Sequence, residues 1–462
     1  MFSKHTPLEA GIQYYSTNLK APYVSFREAL LKGLAPDGGL YMPLHLPRLN
    51  AAELETLSGI TYPELASVIL GRLIGNEISI DDLSELCNNV YTFDIPLEHV
   101  YGKTYLMRLD QGPTASFKDF AALLMGQMMQ HFLNIDNKHI IILTATSGDT
   151  GSAVANAFYG LKNIRVLILF PAGEITEMQR KQMTTFNDNI KVIEIDGKFD
   201  DCQRLVKSAF MDASLTRFNL SSANSINIGR LLPQSVYYFR AWSQLSGNPG
   251  DQAVFSVPSG NFGNLAGGLI AQKMGLPVKR FVISTNENDE VPLFLRTGEY
   301  KPVIPSRNCI SSAMNVGHPS NLARIISLYN GRMDENGEIL TEPDLNNMRK
   351  DLFATSVSDQ ETRKTIGTFY REYGKLLEPH GAVAWFGLQE YLKNYSENSG
   401  KDLLYICLET AHPAKFREEI SSVLKIKLKL PDSLLKIEFR NEEYISLENN
   451  YDTLRKFITQ NY

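Results

Sequence analysis

An excess of positive charge is the first thing this 462-residue chain lacks. Lys and Arg number 46 against 51 Asp and Glu, a formal net charge of -5. No basic field is therefore offered to nucleic acid or anionic lipid. Cysteine is scarce as well. Cys87, Cys202, Cys309 and Cys407 form no CxxC pair and have no metal-ligand spacing, so free thiols in a reducing compartment fit better than a disulfide framework. No apolar run approaches a membrane span, and Met1 to Thr6 lead into no signal-peptide core, so a soluble cytoplasmic protein is the expectation. Repeats and low-complexity tracts are missing. So are the GxxxxGK[ST] and GxGxxG signatures, which leaves ATP and NAD chemistry without support.

What remains is an ordinary globular composition, 43% hydrophobic and 21% charged, long enough for two or three domains. Residues 1–98 read as mostly helical. Ser25 is placed to cap a helix beginning near Phe26, and further helical patterns run from Tyr62 to Gly75 and from Ile80 to Tyr91. From Tyr101 the pattern becomes strand, glycine-containing loop, helix. Strand-length apolar runs stand at His139–Leu143, Arg165–Phe170, Lys191–Ile195, Ala253–Val257, Arg280–Ser284 and Leu403–Leu408. Continuous apolar runs alternating with helices predict parallel sheets covered on both faces, an α/β fold. Ligands of such sheets bind beyond the carboxyl ends of the strands.

Several loops carry the residue types such a site needs. Gly112-Pro113 precedes Lys118, which stands between Phe117 and Phe120 where an amphipathic run to Leu133 begins. A lysine at a helix N-terminus opposes the helix dipole, and aromatic surroundings strip its water. Both effects lower its pKa and favour a free, nucleophilic amine. The alternative is a solvated loop lysine. Thr144 to Gly151 and Pro258 to Asn264 each join a strand to a helix with hydroxyls, amides and glycines. They suit a carboxylate or phosphate, or simply cap the turn. Asn224, Ser225 and Arg230 offer amide, hydroxyl and cation before the run Leu231–Leu245. They fit a second phosphate, or a capped helix followed by a surface arginine. Thr410 adds a hydroxyl at another strand end. His380 and His412 lack metal-ligand spacing and read as structural or supporting groups.

Five motifs stand in a telling order: Gly112-Pro113-Thr114 with Phe117-Lys118-Asp119, then Thr144 to Gly151, Asn224 to Asn227, Pro258 to Gly263, and Thr410 to Phe416. Together with Tyr14 to Thr17 and Gly33 to Leu40 they resemble the bacterial and fungal branch of the threonine synthase family over nearly the whole chain. The resemblance implies a fold-type II, tryptophan-synthase-β-like pyridoxal-phosphate enzyme with two parallel-sheet α/β lobes and a small helical N-terminal domain. The domains expected are 1–98, a catalytic core 99–425 with a mobile small lobe near 112–225, and a C-terminal extension 426–462.

The resemblance also implies roles. Lys118 would carry the cofactor, pyridoxal 5'-phosphate, and shuttle protons. Gly260, Asn261, Phe262, Gly263 and Asn264 would hold its phosphate through backbone N–H groups and amide side chains. Thr410 would meet the pyridine nitrogen. Thr146, Ser147, Gly148, Asp149 and Thr150 would receive the substrate carboxylate, with Asp149 also tuning the cofactor's phenolic oxygen. Asn224, Ser225 and Arg230 would grip the substrate phosphate. The implied reaction converts O-phospho-L-homoserine and water to L-threonine and phosphate, the last step of threonine biosynthesis; the alternative is a related phospho-lyase. No metal, nucleic-acid or membrane partner is implied, and the enzyme would be a monomer or dimer. Ala172 and Glu174 depart from a family segment that commonly carries basic residues, which would weaken attraction of a doubly anionic substrate if they face it.

Overall fold

The computed structural model describes residues 11–146, 148–395 and 403–462. The apolar runs form strands, nearly where their sequence places them: Ile140–Ala145, Ile164–Pro171, Ile190–Asp196, Ala253–Pro258, Val278–Thr285 and Leu404–Glu409. Three of these, Ile140–Ala145, Ala253–Pro258 and most of Ile164–Pro171, are buried at successive residues on both faces, as parallel strands covered by helices must be.

They sort into two sheets. In the larger, the strand order is Leu352–Ser356, Val278–Thr285, Ala253–Pro258, Leu404–Glu409, Thr104–Arg108, Leu97–Tyr101. All neighbours are parallel except the last two strands, which form an antiparallel pair. The smaller sheet is parallel throughout, in the order Ile445–Glu448, Ile190–Asp196, Ile164–Pro171, Ile140–Ala145, Leu220–Ser221. The C-terminal segment thus supplies an edge strand to the small sheet. Its last helix, Tyr451–Asn461, buries Leu454 and Ile458 beside Leu205 and Val206.

The N-terminal region is mostly helical, with the strand pair Tyr14–Ser16 and Tyr41–Pro43. Ser25 caps the helix Phe26–Lys32 by accepting from the Glu28 N–H. Thr61 and Glu64 form a reciprocal capping box at Tyr62–Ile74, the arrangement that satisfies two free N–H groups at once. This region is tied to the segment 222–230 and to the helix Leu322–Leu328. The Leu30 carbonyl accepts from Asn227 Nδ2 at 2.9 Å, and the Tyr41 carbonyl accepts from Arg324.

Candidate active site

Lys118 is the first residue of the helix Lys118–Asp136, directly after Phe117. Its side chain is 14% exposed, and Nζ lies 4.8 Å from the centre of the Phe117 ring. Phe120 is not the second wall expected for it. Two residues on, and so roughly on the opposite side of the helix, its ring packs against Tyr62, Tyr91, Phe93 and Tyr237. Desolvation lowers the lysine pKa to about 8, with Lys415 and Arg230 pushing the same way while Asp149 and Glu378 oppose. The four charges that act on Lys118 therefore surround one point.

The backbone explains how the lysine is aimed. Phe117 N–H donates to the Thr410 carbonyl at 2.9 Å, His412 N–H to the Ala115 carbonyl at 3.0 Å, and Ser116 bridges Ala411. These contacts zip the lysine loop to the end of the strand Leu404–Glu409, which brings Thr410 and Lys118 to the same end of the large sheet. Asp119, buried just below, accepts from the Thr114 backbone N–H at 2.9 Å and from its hydroxyl at 2.5 Å. That pair fixes the turn before the lysine. Burial pushes the Asp119 pKa up to about 6.

The loop after Ile140–Ala145 contributes Asp149. Burial disfavours its charge, but Lys415 and Lys118 outweigh that and hold its carboxyl well below the usual carboxylate range. Lys415 Nζ is 2.6 Å from Oδ1 and Lys118 Nζ is 4.0 Å from Oδ2. Gln179 Nε2 donates to Oδ1 at 3.1 Å. Lys415 is fully buried and also donates to the Thr114 carbonyl. Sequence reasoning gave it no role: it lay inside the Thr410–Phe416 motif, and nothing in the spacing marks a lysine as buried. Gly148 has φ +127, and a Cβ there would stand 2.6 Å from the Gln179 side chain, so only glycine fits.

Thr146 is not free to receive a carboxylate with its hydroxyl. Its Oγ1 accepts from the Gly148 and Gly151 N–H groups at 3.0 and 2.7 Å and its proton is donated to the Gly148 carbonyl at 3.3 Å, which staples the loop to the helix Asp149–Phe158. Thr150 follows in the first helical turn, half-buried. Ser147 lies outside the described residues.

The cradle Gly260 to Asn264 tests whether the residues fit a phosphorylated cofactor. Phe262 adopts a left-handed conformation, φ +59. Such a residue ahead of a helix turns successive N–H groups to one side, and the first turn of Gly263–Lys273 has N–H groups without helical acceptors. A Cβ on Gly260 would stand 2.6 Å from Met314 Cα, so the cradle is pressed against backbone from behind. Asn264 Oδ1 accepts from the hydroxyls of Tyr237 at 2.7 Å and Tyr238 at 2.6 Å, while its Nδ2 is buried without a partner. A buried donor lacking an acceptor carries a free-energy penalty that an anion removes. The cradle fits a phosphate. Asn261 departs from expectation. Its amide donates to Ser225 Oγ at 2.6 Å and accepts from Ser320 N–H and Oγ, leaving its backbone N–H as the group it can offer.

The loop 222–230 reaches the same place. Asn224 Oδ1 accepts from the Thr144 hydroxyl at 2.5 Å, Ser225 is held by Asn261, and Arg230 Nη1 donates to the Ala223 carbonyl at 2.7 Å. Arg230 Nε is buried with no acceptor. Burial lowers the guanidinium pKa to about 10, so it remains charged at neutral pH. The departures noted in the sequence are solvent-exposed. Glu174 there accepts from the Phe199 N–H at the start of another helix.

Comparison with known proteins completes the description. Family profiles match in sequence order: "Threonine synthase N terminus" over residues 13–91, "Pyridoxal-phosphate dependent enzyme" over 94–407 and "Threonine synthase, C-terminal" over 386–458. A threonine synthase from Haemophilus influenzae is 42% identical over 96% of this chain and 98% of its own. The crystal structure of threonine synthase from Escherichia coli matches with a TM-score of 0.87 at 38% identity, covering 98% of this chain and 100% of that one. The pyridoxal-phosphate-bound threonine synthase from Brucella melitensis matches with a TM-score of 0.89 at 34% identity, covering 97% and 99%.

Proposed function

Because the chain belongs to the threonine synthase family of pyridoxal-phosphate-dependent lyases, we propose that its substrate is O-phospho-L-homoserine, converted with water to L-threonine and phosphate. The observation that carries this choice is Arg230. A buried cation with an unpartnered Nε acts electrostatically on Lys118, as a leaving phosphate beside the reacting carbons requires. A plain dehydratase substrate has no group for it.

Pyridoxal phosphate supplies an electron sink for charge developing next to the amino-bearing carbon. Gly260, Phe262, Gly263 and Asn264 hold its phosphate, with the Asn261 N–H, and Thr410 meets the ring nitrogen. Lys118 does the proton work. With a pKa near 8, about a tenth of the amine is unprotonated at pH 7. It takes the proton from Cα, gives that proton up again and, as a free amine once more, takes one from Cβ, two neighbouring atoms for one flexible side chain. Arg230, with Asn224 and Ser225, neutralises the phosphate as it departs from Cγ, where charge builds and water is scarce. The N–H groups of Asp149 and Thr150, at the start of the helix Asp149–Phe158, receive the substrate carboxylate. Asp149, clamped by Lys415, sets the charge beside the cofactor's phenolic oxygen. The Thr144–Asn224 bond links the phosphate loop to the small sheet, so substrate binding draws that lobe closed.

The test is product analysis with O-phospho-L-homoserine for wild type and Lys118→Ala. Equal amounts of threonine and phosphate, both lost in the variant, are expected. Phosphate accompanied by a keto acid would replace this reading with a phospho-lyase.

A further inference from the structure

Two lysines share one buried carboxylate, and the reaction above gives proton work to only one of them. Asp149 opens the helix Asp149–Phe158, and its side chain is buried. Its two oxygens are not treated alike. Oδ1 lies 2.6 Å from Lys415 Nζ and accepts from Gln179 Nε2 at 3.1 Å. Oδ2 faces Lys118 Nζ at 4.0 Å, beyond hydrogen-bond reach. Lys415 arrives by a separate route. It stands in the short turn Pro413–Phe416 that follows the strand Leu404–Glu409, and its Nζ also donates to the Thr114 carbonyl at 3.1 Å. Thr114 gives its own N–H and hydroxyl to Asp119, the residue after Lys118. One residue thus sets the register between the two lysines, and the carboxylate closes on the nearer.

The nearer lysine decides what the farther one can do. A buried carboxylate with a single lysine beside it holds that lysine as an ammonium, because a close opposite charge favours the charged form. An ammonium has no lone pair with which to attack a carbonyl or accept a proton. With Lys415 in place, Asp149 already has its counter-ion. Burial is the largest influence on Lys118 and lowers its pKa; Lys415 and Arg230 act in the same direction, and Asp149 and Glu378 oppose them. On Asp149, burial is outweighed by Lys415, Lys118 and His380. We propose that Lys415 is a positioning residue for the reaction: as the counter-ion of Asp149 it releases Lys118 to be a free amine, while its own Nζ is committed to Asp149 and Thr114.

The inference rests on the reading of Lys118 as the lysine that meets the cofactor, and the test keeps the two apart. Cofactor-free protein is labelled with trace acetic anhydride across a pH series, and acetylation of Lys118 is read by peptide mass spectrometry. Wild type is expected to give a midpoint near 8. Lys415→Met should raise the midpoint by about one to three pH units, a tenfold or greater loss of free amine at neutral pH. Lys415→Arg should stay near wild type. A loosened fold would also raise the midpoint, but only the loss of a counter-ion is reversed by removing the carboxylate, so Lys415→Met combined with Asp149→Asn should return to the wild-type midpoint or below. Equal midpoints in wild type and Lys415→Met overturn the inference, as does a raised midpoint that Asp149→Asn fails to lower. A wild-type midpoint at the free value of 10.5 overturns it without any variant, so poor folding of Lys415→Met does not protect it. Lys118→Ala that keeps the visible absorbance of bound cofactor would overturn the reading of Lys118, and this inference with it. Loss of that absorbance in Lys118→Ala together with equal labelling midpoints would overturn this inference alone.

Discussion

Two arginines are buried on either side of the loop 222–230, and their surroundings differ in one respect. Arg324 is fully buried and saturated. It donates to the carbonyls of Tyr41, Ser225 and Ile226 and to Asn321 Oδ1, using Nε, Nη1 and Nη2. Among the described residues Arg230 donates once, to Ala223, and keeps a buried Nε unpartnered. Burial lowers both pKa values, to about 9 and about 10 respectively. Burial and charge are therefore alike; hydrogen-bond satisfaction is not. A saturated cation is a structural pin joining the N-terminal region to the loop 222–230. Under the proposed function the unsaturated one takes the substrate phosphate, and binding would remove the penalty of its unpartnered Nε.

The comparison breaks if the two behave alike on mutation. Arg324→Met strands several buried carbonyl groups and should lower stability by about 3–5 kcal/mol, seen by denaturant or thermal melting. A variant that melts with the wild type would erase the distinction. Lys118, the third buried cation, sharpens the contrast through pH. Its folded pKa of about 8 lies below the free value of 10.5, so between those pH values the unfolded chain binds more protons than the folded one. Stability contributed by the neutral amine is present above 10.5 and is lost as pH falls through 8. Cofactor-free wild type should gain about 3 kcal/mol relative to Lys118→Met across that window; parallel pH profiles would contradict the lysine's burial. Asn264→Asp keeps the acceptor for Tyr237 and Tyr238 but replaces the unpartnered donor with negative charge. Pyridoxal-phosphate affinity, measured by titration of the cofactor-free protein, should fall by about 1.5–3 kcal/mol. Unchanged affinity would remove Asn264 from the cradle. The smallest effect is expected at Glu174→Lys, which loses a charged contact at a helix N-terminus. About 0.3–1 kcal/mol of stability should go, with KM unmoved; a lower KM would show that the position faces the substrate.

Much of this was legible before the structure. Ile140–Ala145 and Ala253–Pro258 announce themselves because a strand covered on both faces is apolar at every position. Lys118 was legible because Gly-Pro marks where its helix can begin. Other features depend on tertiary packing that no local pattern encodes. Ile445–Glu448, an edge strand exposed at most positions, has none of the apolar continuity that reveals a central strand. Phe120 resembled a wall for Lys118, yet a two-residue step along the helix turns it to the opposite side, into the core. Lys415 was one basic residue among many until its burial against Asp149 became visible. Asn261 and Thr146 were assigned to the site from sequence, but a sequence cannot say that each already has its hydrogen bonds inside the protein.

The most direct test of the account is steady-state turnover of O-phospho-L-homoserine by Arg230→Met, measured together with its melting curve. If Arg230 is held open for the departing phosphate, kcat/KM falls by about a hundredfold or more while the melting temperature stays close to that of the wild type. Retained turnover, or collapse of the fold with no separate kinetic defect, would make Arg230 a second Arg324 and leave the phosphate site unexplained.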